Sequence, residues 1–155
     1  MFTFGQPPTF QSDEKFELDV SDDGEAWTLT FSDFVARAGG TDSPAPTTTH
    51  AFLLVMPLQG HAEGAEIDFN VQGFVLTTEG ATATVVLSVN GQTTVADFPA
   101  NSEQSFVQSL KFTAPSASEC RLCVFLLVGR DSKNSNAEAF LSSSVIDAEI
   151  LPRPR

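Results

Sequence analysis

Apolar and polar residues alternate with a period of two through most of the chain, which predicts strands rather than helices. Phe16, Leu18 and Val20 alternate with Lys15, Glu17 and Asp19, giving a strand with one wet face. Ser21-Asp22-Asp23-Gly24 is a turn by composition. Trp27, Leu29 and Phe31 then alternate with Thr28, Thr30 and Ser32. Val35 and the flanking Thr/Phe strand favour extending this strand over a helical turn between Phe31 and Ala38. A loop punctuated by Gly-Gly and Ser-Pro-Ala-Pro follows from Gly39 to Thr48, and Ala51 to Met56 reads as a short buried strand. Gly60 to Gly64 breaks the chain again.

Ile67, Phe69 and Val71 alternate with Asp68, Asn70 and Gln72, and the next large apolar residues are Phe74 and Leu76. That change of phase at Gly73 predicts a β-bulge. Asn90-Gly91, between Thr84–Val89 and Gln92–Asp97, is the pattern of a two-residue type I′ hairpin. Phe106, Leu110 and Phe112 share a strand face with Gln108. Cys120 to Val128 is apolar on both faces apart from Arg121, so it belongs in the centre of a sheet or under cover on both sides. After a polar loop from Asp131 to Asn136, Val145 to Leu151 closes the domain with Ile146, Ala148 and Ile150 inward. The sum is about nine short strands and no helical stripe longer than about two turns. The expectation is an all-β, two-sheet antiparallel β-sandwich of residues 13–151, with an N-terminal Phe/Pro-rich arm (1–12) and a short Pro/Arg tail (152–155).

Composition narrows the function classes. The 155 residues suit one domain. There are 14 Phe, one Trp and no Tyr, so most rings should be core filling. The formal net charge of −12 repels phosphate backbones and anionic lipid heads, which argues against nucleic acid and membrane partners. No signal peptide is visible at the N-terminus, so a cytoplasmic location is the default expectation, beside a virion or extracellular assembly.

No arrangement of side chains points to catalysis. Cys120-Arg-Leu-Cys123 is a C-x-x-C, but in a strand it spans about 10 Å with the thiols on opposite faces. A disulfide needs Cα atoms within roughly 7 Å, and no second Cys pair exists to complete a zinc site. Inert buried thiols are expected. His50 and His61 are separated by a strand and would lie some 30 Å apart if it is extended. No Gly-x-Ser-x-Gly elbow and no Gly-rich phosphate loop occur. Asp19, Asp22, Asp23 and Glu25 surround one turn; Asp131, Asn134, Asn136 and Glu138 line another loop. Oxygen ligands on loops suit Ca²⁺, but neither cluster has the spacing of a self-contained calcium loop, and solvated turns are the favoured reading. Trp27, in phase with Leu29 and Phe31, reads as core rather than as a stacking platform.

The closing half of the chain resembles jelly-roll carbohydrate-binding modules in layout, over residues 82–151. The likeness lies in the Asn90-Gly91 hairpin, Leu110–Pro115, the Leu122–Val128 strand and Val145-Ile-Asp-Ala-Glu-Ile150. It implies a jelly-roll fold, a carbohydrate ligand and a structural Ca²⁺ held in part by Asp147. The lack of Tyr departs from the usual sugar platform. The leading expectation is instead a non-enzymatic sandwich acting through protein–protein association, as a homo-oligomer or subunit of a larger assembly, with Phe2, Phe4 and Phe10 of the arm as partner-binding residues. Alternatives are the Ca-stabilised carbohydrate-binding module and an acidic inhibitor or immunity protein whose Asp19–Glu25 turn meets a basic partner.

Overall fold

The computed structural model describes residues 2–5, 8–11, 15–39, 46–60, 65–113, 119–131, 133–134 and 136–151. Among them are eleven strands and no helix: β1 Thr3–Phe4, β2 Thr9–Gln11, β3 Phe16–Val20, β4 Ala26–Ala38, β5 Thr47–Gln59, β6 Glu66–Thr77, β7 Ala81–Val89, β8 Gln92–Phe98, β9 Glu103–Thr113, β10 Glu119–Arg130 and β11 Ala139–Ile150. The two strands beyond the expected nine lie in the N-terminal arm, where β1 and β2 both pair with β5. His61 and residues 152–155 fall outside the described residues.

Two antiparallel sheets face each other. One runs β1-β5-β10-β7-β8, with β2 also on β5; the other runs β3-β4-β11-β6-β9. From β4 onward the order is that of a jelly roll, each sheet built from strands far apart in sequence. The alternation read from sequence sets the interior. Trp27, Leu29, Phe69, Val71, Ile146 and Ala148 from one sheet meet Phe52, Leu54, Val85, Leu87, Val124 and Leu126 from the other, all buried. Phe52 is the hub of an aromatic cluster, with ring centroids 5.0 Å from Phe31, 5.3 Å from Phe16 and 6.3 Å from Phe34. Trp27 is a core residue, edge-on to Phe4 and Phe69.

The Asn90-Gly91 hairpin forms as expected. Both residues have positive φ (48° and 88°) and Val89 pairs with Gln92. The Asn90 side chain also clips the hairpin to β10. Its Nδ2 donates to the Glu119 carbonyl (3.0 Å), and its Oδ1 accepts from the Arg121 amide (2.7 Å).

The expected phase change at Gly73 is corrected by the structure. Val71, Val75 and Thr77 are all buried, so β6 keeps one phase throughout and Gly73 occupies an inward position. Phe74 and Leu76 therefore face outward. The irregularity sits on the neighbours: the β11 register shifts between Ser143 and Val145, opposite Gly73 and Gln72. In β4 the same shift spans Thr30 to Phe34, which lets both Phe31 and Phe34 point inward. Gly73 is required there for space, because a Cβ would lie 1.9 Å from the Ser142 carbonyl oxygen.

Candidate functional site

The arm residues separate in the structure. Phe2 and Phe4 are 9% and 5% exposed and belong to the core of their own domain. The Phe4 amide donates to the Gly24 carbonyl, tying the arm to the β3–β4 turn. These two rings are thus taken up by the fold, and an apolar arm folding back to bury its rings is the ordinary hydrophobic outcome. Phe10 alone is half exposed, lying edge-on against Phe16 at the rim of the sandwich.

The Cys pair splits as strand geometry requires. Cys120 is buried and Cys123 faces outward on β10, and both are free thiols. Desolvation pushes the Cys120 thiol up to about 12 and raises that of Cys123 as well. Neither has the lowered pKa of a reactive thiolate. His50 lies within β5 rather than beside it.

The two acidic loops are held by their own hydrogen bonds. Asp23 accepts from the Ser21 hydroxyl (2.6 Å) and the Glu25 amide (2.9 Å), and these bonds hold its carboxyl below the usual range. Asp131 accepts from the Lys133 amide and Asn134 Oδ1 from the Asn136 amide. Such local side-chain-to-backbone bonds are what Asp and Asn supply in turns.

The outer face of the β3-β4-β11-β6-β9 sheet carries the most organised polar array. Register puts Asp19, Thr28, Asp147, Asn70 and Ser109 in one row across five strands. Asn70 Nδ2 donates to Asp147 Oδ1 (3.1 Å), Gln72 Nε2 makes a longer contact to Asp147 Oδ2 (3.5 Å), and the Ser109 hydroxyl donates to Asn70 Oδ1. Further along the same face stand Phe74 and Phe140, half-buried, with ring centroids 6.4 Å apart. The Arg37 guanidinium lies 5.1 Å from the Phe140 centroid. One surface that no described residue covers thus offers phenyl rings beside carboxylate, amide and hydroxyl groups.

Calcium takes six to eight oxygen ligands. Asp147 brings one carboxylate to the middle of a sheet, where Asn70 and Gln72 already engage it. Among the described residues, no group of three or more His, Cys, Asp or Glu could hold a metal ion. The described surroundings of Asp147 do not assemble a calcium cage.

The other outer face differs in chemistry. On the β5-β10-β7-β8 sheet, register aligns Ala51, Phe125, Val86 and Val95 in one row and Leu53, Cys123, Ser88 and Thr93 in the next. Leu53 and Val95 are 36% and 57% exposed. A hollow of about 430 Å³ opens here, lined mainly by Thr9, Leu53, Val55, Arg121 and Cys123.

No protein-family model matches the sequence. No curated protein matches it either. The structure is similar to several solved sandwiches at low sequence identity. The carbohydrate-binding module TmCBM61, solved with β-1,4-galactotriose, is 10% identical with a TM-score of 0.38, over 94% of this chain and 89% of that one. The CBM36-1 domain of a multidomain xylanase from the hindgut metagenome of Trinervitermes trinervoides is 12% identical with a TM-score of 0.37, over 94% and 99%. The Eiger TNF of S. frugiperda is 13% identical with a TM-score of 0.40, over 84% and 94%.

Proposed function

We propose that the chain is a non-catalytic binding module for a neutral carbohydrate, held on the outer face of the β3-β4-β11-β6-β9 sheet. The observation that carries this reading is the placement of Phe74 and Phe140 on the same outer face as the Asp147–Asn70–Ser109 row. A sugar ring has an apolar C–H face and an edge of hydroxyls. Phenyl rings suit the first, and carboxylate and amide groups fixed by their neighbours suit the second. Phe in place of Tyr and Trp supplies stacking without a polar tip, so the polar contacts fall to Asn70, Gln72, Asp147 and Arg37. The face also carries Glu17, Asp19, Asp68, Glu103 and Glu149, which repel uronate and sulfated polymers.

Titration calorimetry against soluble neutral polysaccharides, with a sulfated glycan as control, tests the reading. Wild-type protein should bind a neutral polymer. Phe74→Ala and Phe140→Ala should each weaken binding about tenfold or more, the loss typical of an interfacial ring. Wild-type failure on every neutral polymer, or Phe74→Ala binding like wild type, would remove the proposal. The melting temperature should be the same in EDTA and in Ca²⁺.

A further inference from the structure

No described residue covers the outer face of the β5-β10-β7-β8 sheet, although β10 from Leu122 to Val128 is apolar on both sides. Strands buried on one face only usually alternate with polar residues, and unbroken apolar strands belong between two layers. Here Cys123, Phe125 and Leu127 of β10 face outward between Leu53 and Ala51 of β5 and Val86 of β7. We propose that a second copy of this chain covers this face, forming a two-fold dimer whose axis lies in the contact plane along β10.

Charge supports a second copy as the occupant. The chain carries −12, yet among the described residues this face holds only Glu119, Arg121 and Asp97. Glu119 and Arg121 pair with each other at 2.8 Å, and Asp97 accepts from the Thr84 hydroxyl at 2.8 Å. The opposite outer face carries Glu17, Asp19, Asp68, Glu103, Asp147 and Glu149 against Arg37 and Lys111. A basic partner is drawn to that acidic face. Only the near-neutral face can meet another strongly acidic copy without repulsion.

Size and shape agree with this occupant. Four strands about 4.8 Å apart and at least seven residues long make a face of roughly 500 Å² before side-chain relief, the scale of the smaller specific interfaces, which bury below about 600 Å² per partner. The face is also self-complementary. Val95 protrudes from β8 on one flank of β10, and the hollow over Leu53, Val55 and Thr9 lies on the other flank. Rotation about an axis along β10 stacks β10 on β10 and carries each Val95 to the β5 side of the partner, one row from Leu53 at the rim of the hollow, as an isologous contact allows. The polar faces then point away from each other, one on each side of the dimer. This inference does not depend on the identity of the ligand.

Sedimentation velocity on the full chain, from about 1 μM to about 500 μM, is the first test. A dimer is expected within that range. Val95→Glu places a charge on an exposed edge position and should shift dissociation at least tenfold while leaving far-UV circular dichroism unchanged. A short bismaleimide should cross-link wild type and Cys120→Ser through Cys123, and should fail with Cys123→Ser. If Val95→Glu misfolds, the cross-linking pattern decides. A wild-type monomer at every concentration would overturn the proposal and leave the face to a different protein, as would a Val95→Glu dimer of unchanged affinity or the absence of a Cys123 cross-link.

Discussion

Replacing Gly73 with alanine isolates a purely steric demand of the fold. The new methyl would sit 1.9 Å from the Ser142 carbonyl oxygen and 2.7 Å from Cζ of Phe106, where ordinary contact begins at 3.4 Å. The ring can swing aside. The carbonyl belongs to β11 and must retreat about 1.5 Å, beside the register shift at Ser143–Val145. Overpacking of this kind costs about 1–3 kcal/mol, and a displaced ladder hydrogen bond adds about 1 kcal/mol, for a total near 3 kcal/mol. Gly91→Ala is the control. It has nothing within 4 Å, so only its φ of +88° opposes a side chain, at about 1 kcal/mol. Urea unfolding followed by the fluorescence of Trp27, the only indole and a buried one, reads both. With an m-value near 2 kcal/mol/M, the midpoint should fall by about 1.5 M for Gly73→Ala and about 0.5 M for Gly91→Ala. A Gly73→Ala midpoint no lower than that of Gly91→Ala would refute the reasoning.

Phe52→Ala, at the centre of the Phe16–Phe31–Phe34 cluster, should cost about 3–5 kcal/mol by the same urea assay. Asn90→Ala removes a left-handed turn residue and both hydrogen bonds to β10, and should cost about 2 kcal/mol. In native protein a thiol reagent should modify Cys123 well before Cys120, and mass mapping after brief labelling checks the order. The folded Cys120 pKa is raised, so its contribution to stability is complete below about pH 9 and lost as pH climbs toward 12. Cys120→Ala should therefore flatten the alkaline fall in urea midpoint relative to wild type.

The strands of the β3-β4-β11-β6-β9 sheet were legible because that sheet has one wet face, and a wet face writes a period of two into the sequence. Trp27, Leu29 and Phe31 followed from that rule, and the separation of Cys120 from Cys123 followed from their odd spacing along a strand. The Phe74–Phe140 pair did not. A change of phase at Gly73 would turn Phe74 inward, yet Val75 and Thr77 continue the phase of Val71. The inward position was simply occupied by the one residue with no side chain. Phe140 lies ahead of the strand that the alternation from Val145 predicts, in a stretch the pattern leaves unassigned, and the shift at Ser144 reverses which residues of β11 face out. The polar row is a product of register. Asn70 and Asp147 are 77 residues apart, and no local pattern pairs β6 with β11.

Charge shows how topology changes the meaning of a composition. A net −12 spread evenly over a sphere would only exclude anionic partners. The jelly roll assigns the strands carrying Glu17, Asp19, Asp68, Asp147 and Glu149 to one sheet, and β5, β7 and β10, rich in Val, Leu and Phe, to the other. The two outer faces of the molecule are therefore chemically opposite, and the same acidity acts differently on each. On the polar face it selects against acidic glycans, so raising salt should relieve that exclusion more than it changes affinity for a neutral polymer. On the apolar face its near absence removes the repulsion that would hold two copies apart. Dimerisation should accordingly depend weakly on salt, whereas an association driven through the Asp19–Glu25 turn to a basic partner would weaken steeply as ions screen it. Sedimentation at low and high ionic strength separates these cases, and a dimer that dissociates on adding salt would count against contact through the β10 face.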